Sequence, residues 1–166
     1  MNGSNETTRS EQWYVAKWSN LAWLETIIKG TAILIGILAL VNSLQGSFKF
    51  PSGVQLVQFI VLGILSLGLV AAIFDRISRR EIVSMVFVIF NNLGHWGMFV
   101  ALAFFPGPGF LLIYFSALML VGDVVKLASF KSDNFTQSGV SSTTLYSLTS
   151  IYVIGYTLLL ILAWLV

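Results

Sequence analysis

Ionisable side chains inside apolar stretches mark the places where this chain could do chemistry. His95, Asp123 and Lys126 all lie in such stretches. If the stretches are helical, Asn91, Asn92 and His95 project from one face, because positions i, i+1 and i+4 span about 100° of arc. Asp123 and Lys126 share a face of another stretch in the same way. A carboxylate placed beside the imidazole would form an acid–base pair that takes up and releases a proton.

The spacing predicts that these two polar faces meet. Asn92 and Asp123 stand equally far along the chain from the middle of the Pro- and Gly-rich turn at 105–109, so antiparallel neighbouring helices would hold them at one depth. The cluster that would form, and that could bind a small polar molecule, an ion or a proton, consists of Asn91, Asn92, His95 and Asp123. The alternative is structural. Buried polar side chains link membrane helices at about 0.6–2 kcal/mol per hydrogen bond, and Asp123 could simply pair with Lys126.

His95 has a third interpretation. Gly94, Gly97 and Ala101 surround it at helical spacing. Small residues chiefly allow helices to approach closely, but they also leave room for a flat macrocycle with His95 as the axial ligand of a haem or a chlorin. The chain has one His, no Cys and no nucleotide-binding motif, so the sequence predicts no metal or nucleotide site, and any cofactor stays unknown.

Hydroxyl side chains are frequent in the last apolar stretch. Packing against a helical bundle is one interpretation, and the other is a cavity wall opposite His95. The residues predicted to line such a cavity are Ser150, Tyr152, Tyr156 and Thr157. In the first stretch, Ala32-x-x-x-Gly36 is a further candidate face for close helix contact.

The elements that must position these side chains follow from hydropathy. Of the 166 residues, 57% are hydrophobic and only 10% are charged, and the mean hydropathy is +0.87. Soluble domains carry about 25% charged residues, so the composition excludes a soluble domain and predicts an all-α integral membrane protein. Five stretches reach the roughly 20 apolar residues that a membrane-spanning helix needs. They cover residues 26–44, 54–74, 82–105, 110–130 and 145–166.

The sequence divides into two parts. Residues 1–25 form a polar N-terminus followed by a segment with Trp13, Trp18 and Trp23, which predicts an amphipathic helix at the membrane interface. Residues 26–166 form a single domain of five transmembrane helices. The connections between the spans are too short for a domain with a core of its own, so the lipid bilayer is the main surrounding of this chain.

Basic residues predict the orientation. With five spans, Lys49 falls on one side of the membrane, and the other side carries Arg9, Lys17, Lys29, Arg76, Arg79, Arg80, Lys126 and Lys131. The positive-inside rule then places the N-terminus in the cytoplasm and the C-terminus outside. The cluster of Arg76, Arg79 and Arg80 predicts contact with anionic lipid headgroups, and the basic excess does not indicate nucleic-acid binding.

Three functions compatible with these features remain open. The first, which the sequence favours, is a non-enzymatic accessory or scaffold subunit that would associate with other membrane subunits or with itself. The second is a small transporter or small-molecule-binding protein with its polar site at His95 and Asp123, between the third, fourth and fifth spans. The weaker third hypothesis is a subunit that binds a tetrapyrrole through His95. An enzyme that uses His95 and Asp123 as acid and base is disfavoured, because no nucleophile or catalytic motif accompanies them.

Overall fold

The computed structural model describes residues 13–15, 17–104, 109–132 and 141–165. Within this part the chain forms five helices, which are α1 (Asn20–Ser43), α2 (Gly53–Arg79), α3 (Ile82–Phe104), α4 (Phe110–Ser132) and α5 (Ser142–Ala163). Each is long and apolar enough to cross a membrane, which confirms the five stretches predicted from hydropathy. The segments 105–108 and 133–140 and the first twelve residues lie outside the described part.

Two helices extend beyond their apolar stretches. α1 begins at Asn20, where the Ser19 hydroxyl accepts a hydrogen bond from the main-chain N–H of Ala22 at 3.2 Å. α2 continues through the charged residues that follow its apolar stretch and ends at Arg79. The next residue, Arg80, caps the helix with a left-handed φ of 57°. Hydropathy marks where a helix is apolar. Polar residues such as Ser78 continue the helix past that boundary.

The prediction of an interfacial helix before α1 is wrong for residues 13–15 and 17–19, which are not helical. Tyr14 lies instead beside the short connection between α2 and α3. Its N–H donates to the carbonyl of Arg80 and its carbonyl accepts from the N–H of Ile82, both at 3.0 Å. The indole of Trp18 donates to the Glu81 carboxylate at 2.9 Å. These partners come from a distant part of the chain, so local amphipathic spacing could not reveal them.

The five helices form a ring in the order α1, α3, α2, α5, α4 and back to α1. The prediction that α3 and α4 are neighbours is therefore wrong, because α1 lies between them. Small residues explain this order. Gly36 of α1 faces Gly94 and Gly97 of α3, so closely that a Cβ at Gly36 would clash with main-chain atoms of Gly94. The two predicted small-residue faces thus pack against each other.

The helices alternate in direction, so α1, α3 and α5 begin, and α2 and α4 end, at one end of the bundle. We call this end the N-terminal face. The buried apolar core lies inside the ring and includes Leu62, Met98, Phe115, Met119 and Leu159. Each helix also turns large apolar side chains outward, among them Leu34, Ile60, Phe90, Val121 and Ile154. An apolar exterior around a partly polar interior is the arrangement expected of a bundle surrounded by lipid.

Candidate functional site

A buried ion network connects α1 to α4. The Lys29 ammonium contacts the Glu25 carboxylate at 2.7 Å and the Asp123 carboxylate at 2.5 Å. Lys29 and Asp123 are each only 4% exposed, although both are charged. We call Glu25, Lys29 and Asp123 the ionic layer. Two carboxylates around one ammonium satisfy the buried cation, and they hold the two helices at a fixed register.

Asp123 was predicted to pair with His95 or with Lys126, and the structure shows Lys29 in that place. Lys126 instead lies with its ammonium 5.9 Å from the ring centroid of Phe130. Among the described residues, no carboxylate is in ion-pair contact with Lys126, but the charges of Glu25 and Asp123 act on it. Asp123 and Lys126 lie three residues apart in the helix α4, but they do not pair with each other. Asp123 turns toward α1, because α1 is the neighbour of α4 in the ring.

His95 forms a second polar contact near the middle of the bundle. Its Nδ1 lies 2.8 Å from the main-chain oxygen of Asn91, and its Nε2 contacts the hydroxyl of Tyr156 on α5. A carbonyl can only accept, so Nδ1 carries the hydrogen in the neutral ring, and Nε2 accepts a hydrogen bond from the Tyr156 hydroxyl. His95 is 0% and Tyr156 is 1% exposed. The edge of Phe115 packs against the imidazole with ring centroids 5.0 Å apart.

The two Asn residues point to different partners. The Asn92 amide nitrogen donates to the carbonyls of Leu69 on α2 and of Val88, both at 2.9 Å. The buried side-chain oxygens of Asn91 and Asn92 have no hydrogen-bond partner among the described residues. The predicted cluster of four residues therefore does not form. Asn91 and His95 stay together, whereas Asn92 faces α2 and Asp123 faces α1.

The hydroxyls of α5 fall into two groups. Tyr152 donates to the carbonyl of Leu65 at 3.1 Å, and its ring lies 6.2 Å from that of Tyr156, so both tyrosines face the interior. Thr157 is exposed and donates back to the carbonyl of Val153 at 2.8 Å, and Ser150 is half-buried. Of the four predicted cavity-lining residues, the two tyrosines are the ones that reach the polar interior.

The arginines predicted to contact lipid lie where α2 meets α3, at the N-terminal face. Arg76 is loosely paired with Asp75 at 3.8 Å and with Glu81 at 4.0 Å. Glu81 is itself buried and also accepts from Ser84. Arg80 ends α2, and the side chain of Arg79 lies outside the described part. Their contact with anionic lipid stays a prediction.

The surroundings of His95 do not fit a tetrapyrrole. Both ring nitrogens already have partners, and Gly94 and Gly97 lie against the α1 backbone, so the space beside them is filled by protein. Axial ligation would require Nε2 to give up Tyr156 and α1 to move away from α3. Among the described residues, no three His, Asp or Glu side chains are grouped as metal ligands.

The polar contacts lie in successive layers along the bundle. Glu25 is nearest the N-terminal face, and its side chain is 13% exposed. Lys29 and Asp123 follow, each nine residues from the N-terminal-face end of its helix, or about 14 Å at 1.5 Å per residue. His95 and Tyr156 lie about one helical turn deeper. The next layer is formed mainly by the apolar side chains of Leu62, Met98, Phe115 and Leu159, and the buried Ser116 hydroxyl lies at the same depth.

Removing the Tyr156 hydroxyl tests the contact with His95. Tyr156→Phe leaves Nε2 buried without a donor, so we expect a loss of about 1–3 kcal/mol in the free energy of unfolding. Denaturant titration of the purified protein in mild detergent measures the loss. Tyr114→Phe, on a half-exposed ring of α4, is the matched control and should unfold like wild type. Equal stability of the two variants would mean that the His95–Tyr156 contact contributes nothing.

Fold and site together define a five-helix bundle in which a buried ionic layer lies between the N-terminal face and the His95–Tyr156 pair. Comparison with known proteins gives no match: no family model matches the sequence, no curated protein matches it, and no solved structure matches its fold.

Proposed function

We propose that this chain is an integral membrane protein of the small-transporter or small-molecule-binding class. Its working site would be the polar interior formed by the ionic layer, Asn91 and the His95–Tyr156 pair. The ionic layer is the observation that carries the proposal. Charged side chains at this depth of a membrane are costly, and they are retained mainly where an ion, a proton or a polar substrate is handled.

The depth of Lys29 supports this proposal. A lysine near the end of a membrane helix normally extends its ammonium to the headgroups. Lys29 does not, because its ammonium lies between Glu25 and Asp123 inside the ring. Its alkyl chain passes directly over Gly122, where a Cβ would lie 2.6 Å from the Lys29 Cγ. The bundle therefore has a dedicated place for this cation in its interior.

A second candidate function is a non-enzymatic accessory or scaffold subunit. The observation that favours it is that the interior polar contacts join different helices, as purely structural contacts would. Against it, the small-residue faces that a partner helix could have used are occupied inside the bundle. Stoichiometric co-purification with other membrane subunits in mild detergent would support the accessory role, whereas a homogeneous monomer or homo-oligomer supports the transporter class.

Solid-supported membrane recordings test the transporter class without knowledge of the substrate. Vesicles with the purified protein would be exposed to steps in pH and in sodium, potassium, ammonium, phosphate or glycine concentration. We expect a protein-dependent current for at least one step and its loss in Asp123→Asn. Asp75→Asn, at the half-exposed end of α2, is the matched control and should keep the current. No current with any of these solutes would contradict the proposal.

The orientation proposed from the basic residues places the N-terminal face in the cytoplasm. Alkaline phosphatase folds only outside the cytoplasm, whereas green fluorescent protein exported in unfolded form stays dark. We therefore expect a C-terminal phosphatase fusion to be active and a C-terminal fluorescent-protein fusion to be dark. A bright fluorescent fusion and an inactive phosphatase fusion would reverse the orientation. Contact of Arg76, Arg79 and Arg80 with anionic lipid on that side is part of the same proposal.

A further inference from the structure

We propose that the ligand of the polar interior is the proton, which enters from the N-terminal face and reaches His95. This inference rests on the proposed transporter class and names the substrate of the same site. Three features of the polar interior support the proton as the ligand. They are the chemistry of the side chains, the close packing, and the apolar layer at the end opposite the N-terminal face.

The interior side chains form a column of groups that can donate or accept protons. From the N-terminal face inward, the column contains the Glu25 carboxylate, the Lys29 ammonium with the Asp123 carboxylate, the Tyr152 and Tyr156 phenols, and the His95 imidazole. Direct contacts join Glu25 to Lys29, Lys29 to Asp123, and Tyr156 to His95. Such carboxylate, imidazole and hydroxyl chains are the means by which membrane proteins relay protons.

One helical turn separates the ionic layer from the His–Tyr pair, and Asn91 lies at this step. Asn91 is as far from the start of α3 as Lys29 is from the start of α1. Its main-chain oxygen holds His95 Nδ1, while its side-chain oxygen is buried and unpartnered. A buried acceptor of this kind is where a water molecule in transit would be held. By its depth along α3, Asn91 lies between the ionic layer and the His95–Tyr156 pair.

Close packing around the column disfavours a larger substrate. The Lys29 side chain fills the space over Gly122, and α1 and α3 meet backbone to backbone at Gly36 and Gly94. Phe115 closes on the imidazole of His95. A sugar, an amino acid or a hydrated metal ion would have to displace these groups, whereas a proton moves along hydrogen bonds by small shifts of the groups already in place.

The transfer needs no co-reactant. A proton from water binds the Glu25 carboxylate, the Lys29 ammonium gives a proton to Asp123, and Lys29 regains one from Glu25. Further in, Tyr156 passes its hydroxyl proton to His95 Nε2 and is reprotonated from Asp123 through a water held at Asn91. The net result is one proton taken from solution and one imidazolium formed.

An apolar layer forms the barrier to protons beyond His95. Four helices each contribute one buried side chain to it, namely Leu62, Met98, Phe115 and Leu159, each at most 1% exposed. These side chains neither donate nor accept protons, so passage from His95 to the opposite end of the bundle is slow. The buried Ser116 hydroxyl beside Phe115 is a polar group at the same depth.

Proton flux into vesicles tests the inference. Protein-containing vesicles carry the pH dye pyranine, and a potassium gradient with valinomycin supplies the driving potential. We expect wild type to change the internal pH, and Asp123→Asn and Tyr156→Phe each to lower the rate about a hundredfold, since a group that transfers a proton contributes about 10²–10⁴ in rate. Asp75→Asn should keep the wild-type rate. Proton flux that persists in both folded column variants would overturn the inference.

The same preparation separates failure of the inference from failure of the proposed function. A current with another solute but no pyranine response would keep the transporter class and overturn the proton as its ligand. No signal in either measurement would overturn both.

A substitution in the apolar layer tests whether this layer is the barrier to protons. Phe115→Ala should raise the proton flux several-fold, because a smaller side chain admits water beside His95, whereas Phe110→Ala, at a 66% exposed position of the same helix, should not. An unchanged flux in folded Phe115→Ala would contradict this layer as the barrier.

Discussion

Replacing Gly36 with alanine should strongly destabilise the protein. A Cβ at this position would clash with the main-chain oxygen of Gly94, and backbone atoms cannot move aside as a flexible side chain can. The clash is relieved only if α1 moves away from α3, which separates two neighbours in the ring. Because overpacking a tightly packed interior costs about 1–3 kcal/mol and at times more, we expect at least this loss in the free energy of unfolding. Denaturant titration in mild detergent measures it.

Gly30→Ala is the matched control, since it makes the same change two turns earlier in the same helix. A Cβ at Gly30 meets nothing within 4 Å. Alanine favours a helix over glycine by about 1 kcal/mol, so this variant should be as stable as wild type or slightly more stable. If Gly36→Ala and Gly30→Ala unfold together, the close approach of α1 and α3 is not what holds the ring in this order.

Asp123→Leu should be at least as destabilising. Lys29 would keep its charge in the interior but lose one of its two carboxylates. Removal of one partner from a buried ion pair typically costs about 3–5 kcal/mol, because the remaining charge is left uncompensated. We expect the variant to unfold at much lower denaturant concentration than wild type. A matched change at the surface, Asp75→Leu, should have a far smaller effect.

The double variant Lys29→Met/Asp123→Leu should recover most of this loss. Apolar replacements of both partners remove the desolvation cost together with the attraction, and such exchanges are often neutral or stabilising. Glu25 then loses Lys29, but it lies near the face and within the electrostatic influence of Lys126. Strictly additive effects of the two substitutions would contradict a direct Lys29–Asp123 interaction.

Hydropathy alone was sufficient to locate the five helices, because each apolar stretch has the length of a membrane span. The small residues of α1 and α3 were also recognisable as contact faces, since Ala32, Gly36, Gly94 and Gly97 have helical spacing. The sequence did not show that these two faces pack against each other. That pairing depends on the order of helices in the ring, which no local pattern carries.

The partners within the site were missed for the same reason. Asp123 was expected to meet the His95 face because α3 and α4 are consecutive, but α1 lies between them and supplies Lys29 instead. Lys29 itself was considered as one of the basic residues that predict the orientation. The signal that could have indicated its place in the site was its spacing from Glu25, because an i, i+4 acid–base pair favours a lysine held along the helix.

Tyr156 was singled out as a cavity residue and lies in the interior, but its contact with His95 was not expected. Tyrosine hydroxyls carry no spacing signal, since their partners are set by packing between helices. The extended segment around Tyr14 could not be foreseen either. Its partners, Arg80 and Ile82, lie at the connection between α2 and α3, and hydropathy gives no information on what such a polar connection contacts.

The most direct test of the account is the proton flux of the Lys29→Met/Asp123→Leu double variant, measured on the preparation whose stability has been determined. The double variant should recover most of the wild-type stability. If the ionic layer carries protons, this folded variant should pass protons about a hundredfold more slowly than wild type. If the layer is only structural, the variant will be folded and will pass protons at the wild-type rate. That result would contradict the central claim.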